Sequence, residues 1–387
     1  MIDRAGTWRA PPAGGGEPVA VIGGGAAGLA AAAELTRRGL SPLVLDSRPE
    51  PGGSWSQRYR SLRLNTVRWM SGLPGLPLDR HHAGRWPGRD QYSDYLRRYA
   101  EHHRLSFRGG VSVERARRTD RGWELATSDG TMNAAAVVVA TGHSRIPTIP
   151  EWQGAGHFGG ELLHSSGYED PTEFAGRKVL IVGAGSSGAE IALDLLAGGV
   201  AEPLLWSVRT APAVFPREVV GLPTTPLAAV GDRLPRPLID SVAPVLEKVL
   251  YGPRDYLPEA PPLWELMERG KEPLVADGIV DAMRNGSIEV VAPVERLEAD
   301  RVVFSDGGTA FVDAVISATG FRTGLGDLLD SLWLDDREWP RNTVVSLMGF
   351  VGFSIPLGGT LWAMTPDAAL VADRLARELA APGSASR

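Results

Sequence analysis

The chain has no cysteine among its 387 residues. That excludes a dithiol–disulfide redox centre and thiolate metal sites, and it fits a reducing, cytoplasmic setting. No apolar run approaches the roughly 18–20 residues of a membrane helix, so no membrane partner is expected. Basic charge is also scarce. A net charge of −6 with scattered arginines supplies no strong positive field, so nucleic acid is not an expected partner. The N-terminus lacks the apolar h-region of a signal peptide. Residues 1–17 are expected to be a flexible leader and 381–387 a flexible tail. His81-His82 and His102-His103 are adjacent pairs, whose side chains do not converge on one ligand, so no metal site is expected. No GxSxG elbow or zinc-protease helix motif occurs.

The bulk composition is that of a soluble globular protein. Hydrophobic residues make up 43% and charged residues 22%, both ordinary values, and the length suits two or three domains. Pro18–Ile22 reads as a buried parallel strand. Gly23-Gly24-Gly25-Ala26-Ala27-Gly28 follows, then an Ala/Leu-rich helix and a second strand ending on Asp46-Ser47. A GxGxxG between strand and helix, with an acid at the end of the next strand, is a dinucleotide fingerprint. Gly23 makes the tight turn, Gly25 with Ala27 lets the backbone approach a pyrophosphate, and Gly28 packs helix on strand. The helix N-terminus then offers free N–H groups to phosphate. Asp46 is placed to accept hydrogen bonds from a ribose.

The unit repeats about 160 residues later. Val179–Val182 runs into Gly183-Ala184-Gly185-Ser186-Ser187-Gly188 and a second helix. Placed over Leu43–Arg48, the following strand Leu204–Arg209 puts Ser207 where Asp46 stands, with Arg209 just beyond. Losing a carboxylate and gaining a guanidinium accommodates a 2′-phosphate. The first site is therefore assigned to FAD and the second to NADPH. Gly52-Gly53-Ser54-Trp55, small residues beside a tryptophan, suit a backbone passing close to a flavin ring. Ala140-Thr141-Gly142 and Ala318-Thr319-Gly320 each end an apolar strand, as if closing one nucleotide unit apiece.

The expected fold is α/β, with two Rossmann-like domains and a small β-meander over Val111–Ala126 and Ala134–Val139 that rejoins the main sheet. An FAD domain made of 18–150 and 320–380 receives an NADPH domain, 151–319, as an insertion. Asp90 is read as a cap for a helix whose Tyr92, Tyr95 and Tyr99 face the core. The Pro/Leu-rich segment 221–265 holds an apolar helix, Leu238 to Leu250, and is a candidate channel wall. A last amphipathic helix is expected over 365–380.

Taken together these motifs resemble the flavin-containing monooxygenase family, including its YUCCA-type plant members that act on indole-3-pyruvate. The family pattern FxGxxxHxxx followed by an aromatic matches Phe158, Gly160, His164 and Tyr168; Gly52–Trp55, Leu64–Thr66, Ala318–Phe321 and Pro216-Arg217-Glu218 are similar as well. The resemblance spans roughly 18–375. It implies an enzyme in which NADPH reduces FAD and O2 forms a C4a-(hydro)peroxyflavin that oxygenates a small organic substrate. The reactions implied are N- or S-oxygenation or 2-oxo acid oxidation. It also implies that Asn65 is the catalytic hydrogen-bond donor near the flavin and that His164 makes an interdomain hydrogen bond. Tyr168 departs from the tryptophan of the main Baeyer–Villiger branch, which weakens that alternative. A cysteine-free reductase passing electrons to ferredoxin or a quinone is the other alternative, and a homodimer is compatible with either.

Overall fold

The computed structural model describes residues 17–253, 255 and 257–381. The expected leader and tail lie outside these residues, except for Glu17 and Ala381. The chain divides into two compact units. The first contains residues up to Gln57, Thr66–Ile146 and Arg322 onward; the second contains Arg58–Asn65 and Pro147–Phe321. The crossings at 146/147 and 321/322 lie within a few residues of the expected 150 and 320. The assignment of 58–65 to the second unit was not foreseen.

In the first unit a six-stranded sheet runs Val344–Val345, Met348–Phe350, Ala136–Val139, Val19–Ile22, Pro42–Asp46, Phe107–Gly109. Every pairing is parallel except that between the first two strands. Val19–Ile22 lies in the middle and is buried throughout, as a continuous apolar run requires in a parallel sheet. The fingerprint helix Ala26–Arg37 buries ten consecutive residues, Ala26 through Leu35. Alanines on all faces let it sit between the sheet and the C-terminal helix Thr360–Ala380. That helix starts earlier than expected and carries Pro366 internally.

The helix Arg89–His102 buries Tyr92, Tyr95 and Tyr99, as its spacing predicts. Tyr95 accepts from Leu73 N–H and donates to the Leu76 carbonyl, while Tyr99 donates to Pro74. Three apolar rings thus fill the core while two hydroxyls hold the 73–76 loop. The N-cap is Gly88, whose N–H donates to the Gln91 side chain, rather than Asp90, which sits in the first turn. The expected meander is an antiparallel sheet of Val113–Thr119, Gly122–Thr127 and Gly130–Ala134, while Ala136–Val139, expected to belong to it, pairs in the main parallel sheet.

The second unit repeats this plan. Its five-stranded parallel sheet runs Ile288–Val291, Leu204–Ser207, Val179–Val182, Ala314–Ser317, Glu161–His164. It also has an antiparallel meander, Val294–Leu297, Arg301–Phe304 and Thr309–Phe311, which the sequence reading missed. Trp206 is fully buried and donates its indole N–H to the Gly183 carbonyl at 2.9 Å, tying core packing to the fingerprint turn. Segment 221–265 forms helices Thr224–Gly231, Arg236–Tyr251 and Leu263–Glu268, with Val242, Val245 and Val249 exposed. Among the described residues no helix is long and apolar enough to cross a membrane.

Candidate functional site

In the first unit the predicted nucleotide residues converge. Gly23 has φ +109°, and a Cβ there would stand 2.5 Å from the Ala140 carbonyl, so the turn requires glycine. Asp46 is buried; one carboxylate oxygen accepts from Gly24 N–H at 2.6 Å and the other from Arg48 N–H at 2.8 Å. Each oxygen retains a further lone pair. The Gly52–Trp55 turn folds back on the fingerprint loop, with Gly52 N–H donating to the Gly24 carbonyl at 2.9 Å. At Gly53, with φ +60°, a Cβ would come 2.9 Å from Gly25 Cα. Ser47 is exposed at the strand end, while Ser54 and Trp55 are partly buried.

Among the buried polar atoms of this unit that have no hydrogen-bond partner among the described residues are the hydroxyls of Thr141 and Tyr92. Thr141 follows the Ala140 carbonyl that backs Gly23, and the Tyr92 ring meets the Trp55 ring edge-on at 4.8 Å. Gly142 is left-handed at φ +74° and faces open space. Unmet hydroxyls beside a glycine-lined loop are what a polar ligand would satisfy, and they fit a dinucleotide. Ala27 is buried. The Thr66 hydroxyl is shared with Ser71 at 2.7 Å, a bond within its own loop.

The second unit's loop has the same backbone but is more open. Gly183 repeats φ +109° and backs onto the Ala318 carbonyl, and Gly188 packs against the Gly183 carbonyl. Gly185 is exposed with nothing near the position its Cβ would take, and Ser186 and Ser187 open the helix behind it. Gly320 is left-handed like Gly142, whereas the Thr319 hydroxyl is engaged by Ser317 and the Thr148 carbonyl.

Strand register corrects the placement of Ser207. Ile22 pairs with Leu45 and Val182 with Ser207. Likewise Gly23 N–H donates to the Leu45 carbonyl and Gly183 N–H to that of Ser207. Ser207 is therefore the counterpart of Leu45, and buried Val208 occupies the place of Asp46. The Ser207 hydroxyl donates to the Ala292 carbonyl at 2.9 Å and is buried. The carboxylate is absent as expected, but an apolar residue replaces it. Arg209 is exposed and has no hydrogen-bond or ion-pair partner among the described residues. Burial and the neighbouring Arg209 and Arg269 hold the Lys271 ammonium below the usual lysine range.

The motif from Phe158 to Tyr168 has a physical basis. A Cβ at Gly160 would strike the Phe158 ring and the Asp313 carbonyl. His164 accepts the Ser166 backbone N–H at Nδ1, which leaves Nε2–H to donate to the Gly320 carbonyl at 3.0 Å. Burial keeps this imidazole below the usual histidine range, so it stays neutral at pH 7. The bond lies within the second unit rather than between domains as expected. Tyr168 is buried and donates to Asp194 at 2.7 Å.

Asn65 belongs to a polar cluster in the second unit. Its side-chain oxygen accepts from Arg217 at 3.3 Å and its carbonyl accepts from Thr225. Arg217 also pairs with Glu190 at 3.2 Å and Asp277 at 3.5 Å, and Tyr59 donates to Glu190 at 2.6 Å. Sequence reasoning assigned no role to Tyr59, Glu190 or Thr225. The available signal was Glu190, a charged residue in an apolar helix two positions after Gly188.

The family described as pyridine nucleotide-disulphide oxidoreductase matches residues 20–205. With no cysteine in the chain, that likeness concerns the nucleotide-binding fold. The chain is 32% identical over 325 residues to indole-3-pyruvate monooxygenase YUCCA1 of Oryza sativa subsp. japonica, covering 82% of this chain and 78% of that protein. The structure of the flavin-containing monooxygenase from Stenotrophomonas maltophilia superposes with a TM-score of 0.70 at 27% identity, over 93% of this chain and 98% of that one. Open cyclohexanone monooxygenase gives a TM-score of 0.69 at 20% identity, over 93% and 87%, a likeness of fold.

Proposed function

Because this chain belongs to the class B flavoprotein monooxygenases, FAD-dependent enzymes that use NADPH, we propose that its substrate is an aromatic 2-oxo acid of the indole-3-pyruvate type. The observation carrying this reading is the 32% identity to an indole-3-pyruvate monooxygenase over 82% of the chain. The net reaction consumes the 2-oxo acid, O2, NADPH and a proton. It yields the carboxylic acid one carbon shorter, CO2, water and NADP⁺; the C1–C2 bond breaks and one oxygen atom enters the product.

FAD, when bound, accepts hydride from NADPH and activates O2 for transfer of one oxygen atom. Gly23, Gly25, Gly28, Asp46, Gly53 and Thr141 are the residues that would hold it; Gly183, Gly185, Gly188 and Arg209 would hold NADPH. Asn65 would supply a neutral hydrogen-bond donor for the oxygen chemistry that FAD provides. A side-chain amide donates a hydrogen bond without delivering a proton, which favours retention of activated oxygen over its release as hydrogen peroxide. Asn65→Ala is expected to raise hydrogen peroxide released per NADPH several-fold while leaving flavin reduction by NADPH within about twofold. Unchanged coupling would remove Asn65 from the chemistry.

Turnover under ¹⁸O2 with indole-3-pyruvate, an amine, a sulfide and a cyclic ketone tests the whole reading. One ¹⁸O in the shortened acid, with one CO2 per NADPH, supports it. Labelled amine or sulfide oxide assigns the substrate to another class. NADPH oxidation through a quinone or ferredoxin, with no label in any product, favours the reductase.

A further inference from the structure

Arg217 sits where three elements of the second unit meet. Its backbone N–H donates to Asp277, and its carbonyl is held by the Thr224 N–H and hydroxyl. Its side chain is 13% exposed. One terminal nitrogen, Nη2, reaches both Glu190 Oε1 at 3.2 Å and Asn65 Oδ1 at 3.3 Å. These two acceptors use both hydrogens of that nitrogen. Nη1 reaches Asp277, and Nε is buried without a partner among the described residues.

A guanidinium has donors and no acceptor, so it fixes the sense of the amide it touches. The Asn65 oxygen must face Arg217, and the NH2 group must face away. The Thr225 hydroxyl holds the Asn65 carbonyl, so backbone and side chain are both constrained. Glu190 holds the guanidinium in turn. The Glu190 side chain is 12% exposed, and burial pushes its carboxyl up to about 6 against the opposing effects of Tyr59 and Arg217. Tyr59 donates to its other oxygen at 2.6 Å, which leaves Oε1 for the arginine. Arg58 and Asp277 also act on this cluster.

We propose that Arg217 is a positioning residue for oxygen transfer: held by Glu190 and Tyr59, it orients the Asn65 amide with its NH2 group presented as the donor. This rests on the reading of Asn65 given above. Without the guanidinium, the amide can turn over and present its oxygen, an acceptor that repels activated oxygen. Lysine at 217 keeps the charge but lacks the planar fork that serves Glu190 and Asn65 together.

The test uses the FAD- and NADP⁺-loaded protein, ¹⁵N-labelled at asparagine, in parent, Arg217→Met, Arg217→Lys and Glu190→Gln forms. The Asn65 NH2 signals are assigned by their loss in Asn65→Asp. In Arg217→Met these signals are expected to shift or broaden, and hydrogen peroxide per NADPH to rise several-fold, matching Asn65→Ala. The Asn65→Ala/Arg217→Met pair is expected to be no worse than either single change, the mark of a shared pathway. Arg217→Lys is expected to fall between parent and Arg217→Met. Glu190→Gln retains an acceptor for Arg217 and serves if Arg217→Met melts early; its Asn65 signals are expected to move in the same direction by less. If Asn65→Ala uncouples while Arg217→Met and Glu190→Gln leave both the signals and the coupling at parental values, Arg217 positions nothing and the reading of Asn65 stands. If Asn65→Ala stays coupled, both fall.

Discussion

Gly28→Ala is expected to yield a protein that purifies without flavin. A Cβ at residue 28 would overlap the Gly23 carbonyl, well inside the 3.0 Å that real Cβ contacts observe. The obstacle is backbone, so no side chain can turn away; the helix start and the glycine turn must separate. Those two features form the phosphate cradle. A cofactor present at a thousand times its Kd stabilises by about 4 kcal/mol, and its loss lowers the melting temperature of a unit this size by on the order of ten degrees. Gly188→Ala meets the Gly183 carbonyl in the same way, yet is expected to retain flavin and lose NADPH binding. Flavin absorbance after gel filtration and NADP⁺ titration of both variants read the outcome. Flavin retained in full by Gly28→Ala would mean that the first fingerprint is not the FAD site.

Arg209→Ala is expected to remove most of the preference for NADPH over NADH. Arg209 is exposed at the strand end beside Val208 and lacks a carboxylate partner among the described residues, so its charge is available to a 2′-phosphate. A hydrogen bond to a charged group contributes about 1.5–3 kcal/mol, which corresponds to a roughly 10- to 150-fold rise in the NADPH KM. The NADH KM should stay within about twofold, because the second hydroxyl of NADH needs no cation. Lys271, close enough for Arg209 to act on its ammonium, will retain part of the preference. An NADPH-to-NADH ratio unchanged in Arg209→Ala would dissociate this arginine from the phosphate.

The parts of this site that could be read from sequence are those that are local along the chain. Strand, glycine turn, helix and closing acid fall within a short window, and the conformation of Gly23 follows from its neighbours. The one-residue slip at Ser207 shows the limit. Letter spacing places Ser207 at the strand end, whereas register is set by pairing: Val182 lies opposite Ser207, which shifts Val208 to the acid's place. His164 was recognised as a motif residue, but its partner, Gly320, lies 156 positions away. The Asn65–Arg217 contact spans 152 residues and Arg217–Glu190 spans 27, joining a loop, a turn and a helix that no periodicity brings together. Glu190 alone left a trace, as a charge in a largely apolar helix whose other charge is Asp194 on the same face.

The Arg58–Asn65 strap has a consequence for anyone who would exchange parts between relatives. The polypeptide changes unit four times rather than twice, at 57/58, 65/66, 146/147 and 321/322. A graft that transplants 147–321 alone would leave the recipient's own strap facing a foreign Glu190, Arg217 and Thr225. The modular boundary for recombination is therefore discontinuous, and a chimera altering coenzyme preference must carry the strap with the insert. Compatibility of those few side chains, more than similarity of the two sheets, will decide which hybrids hold their asparagine in place.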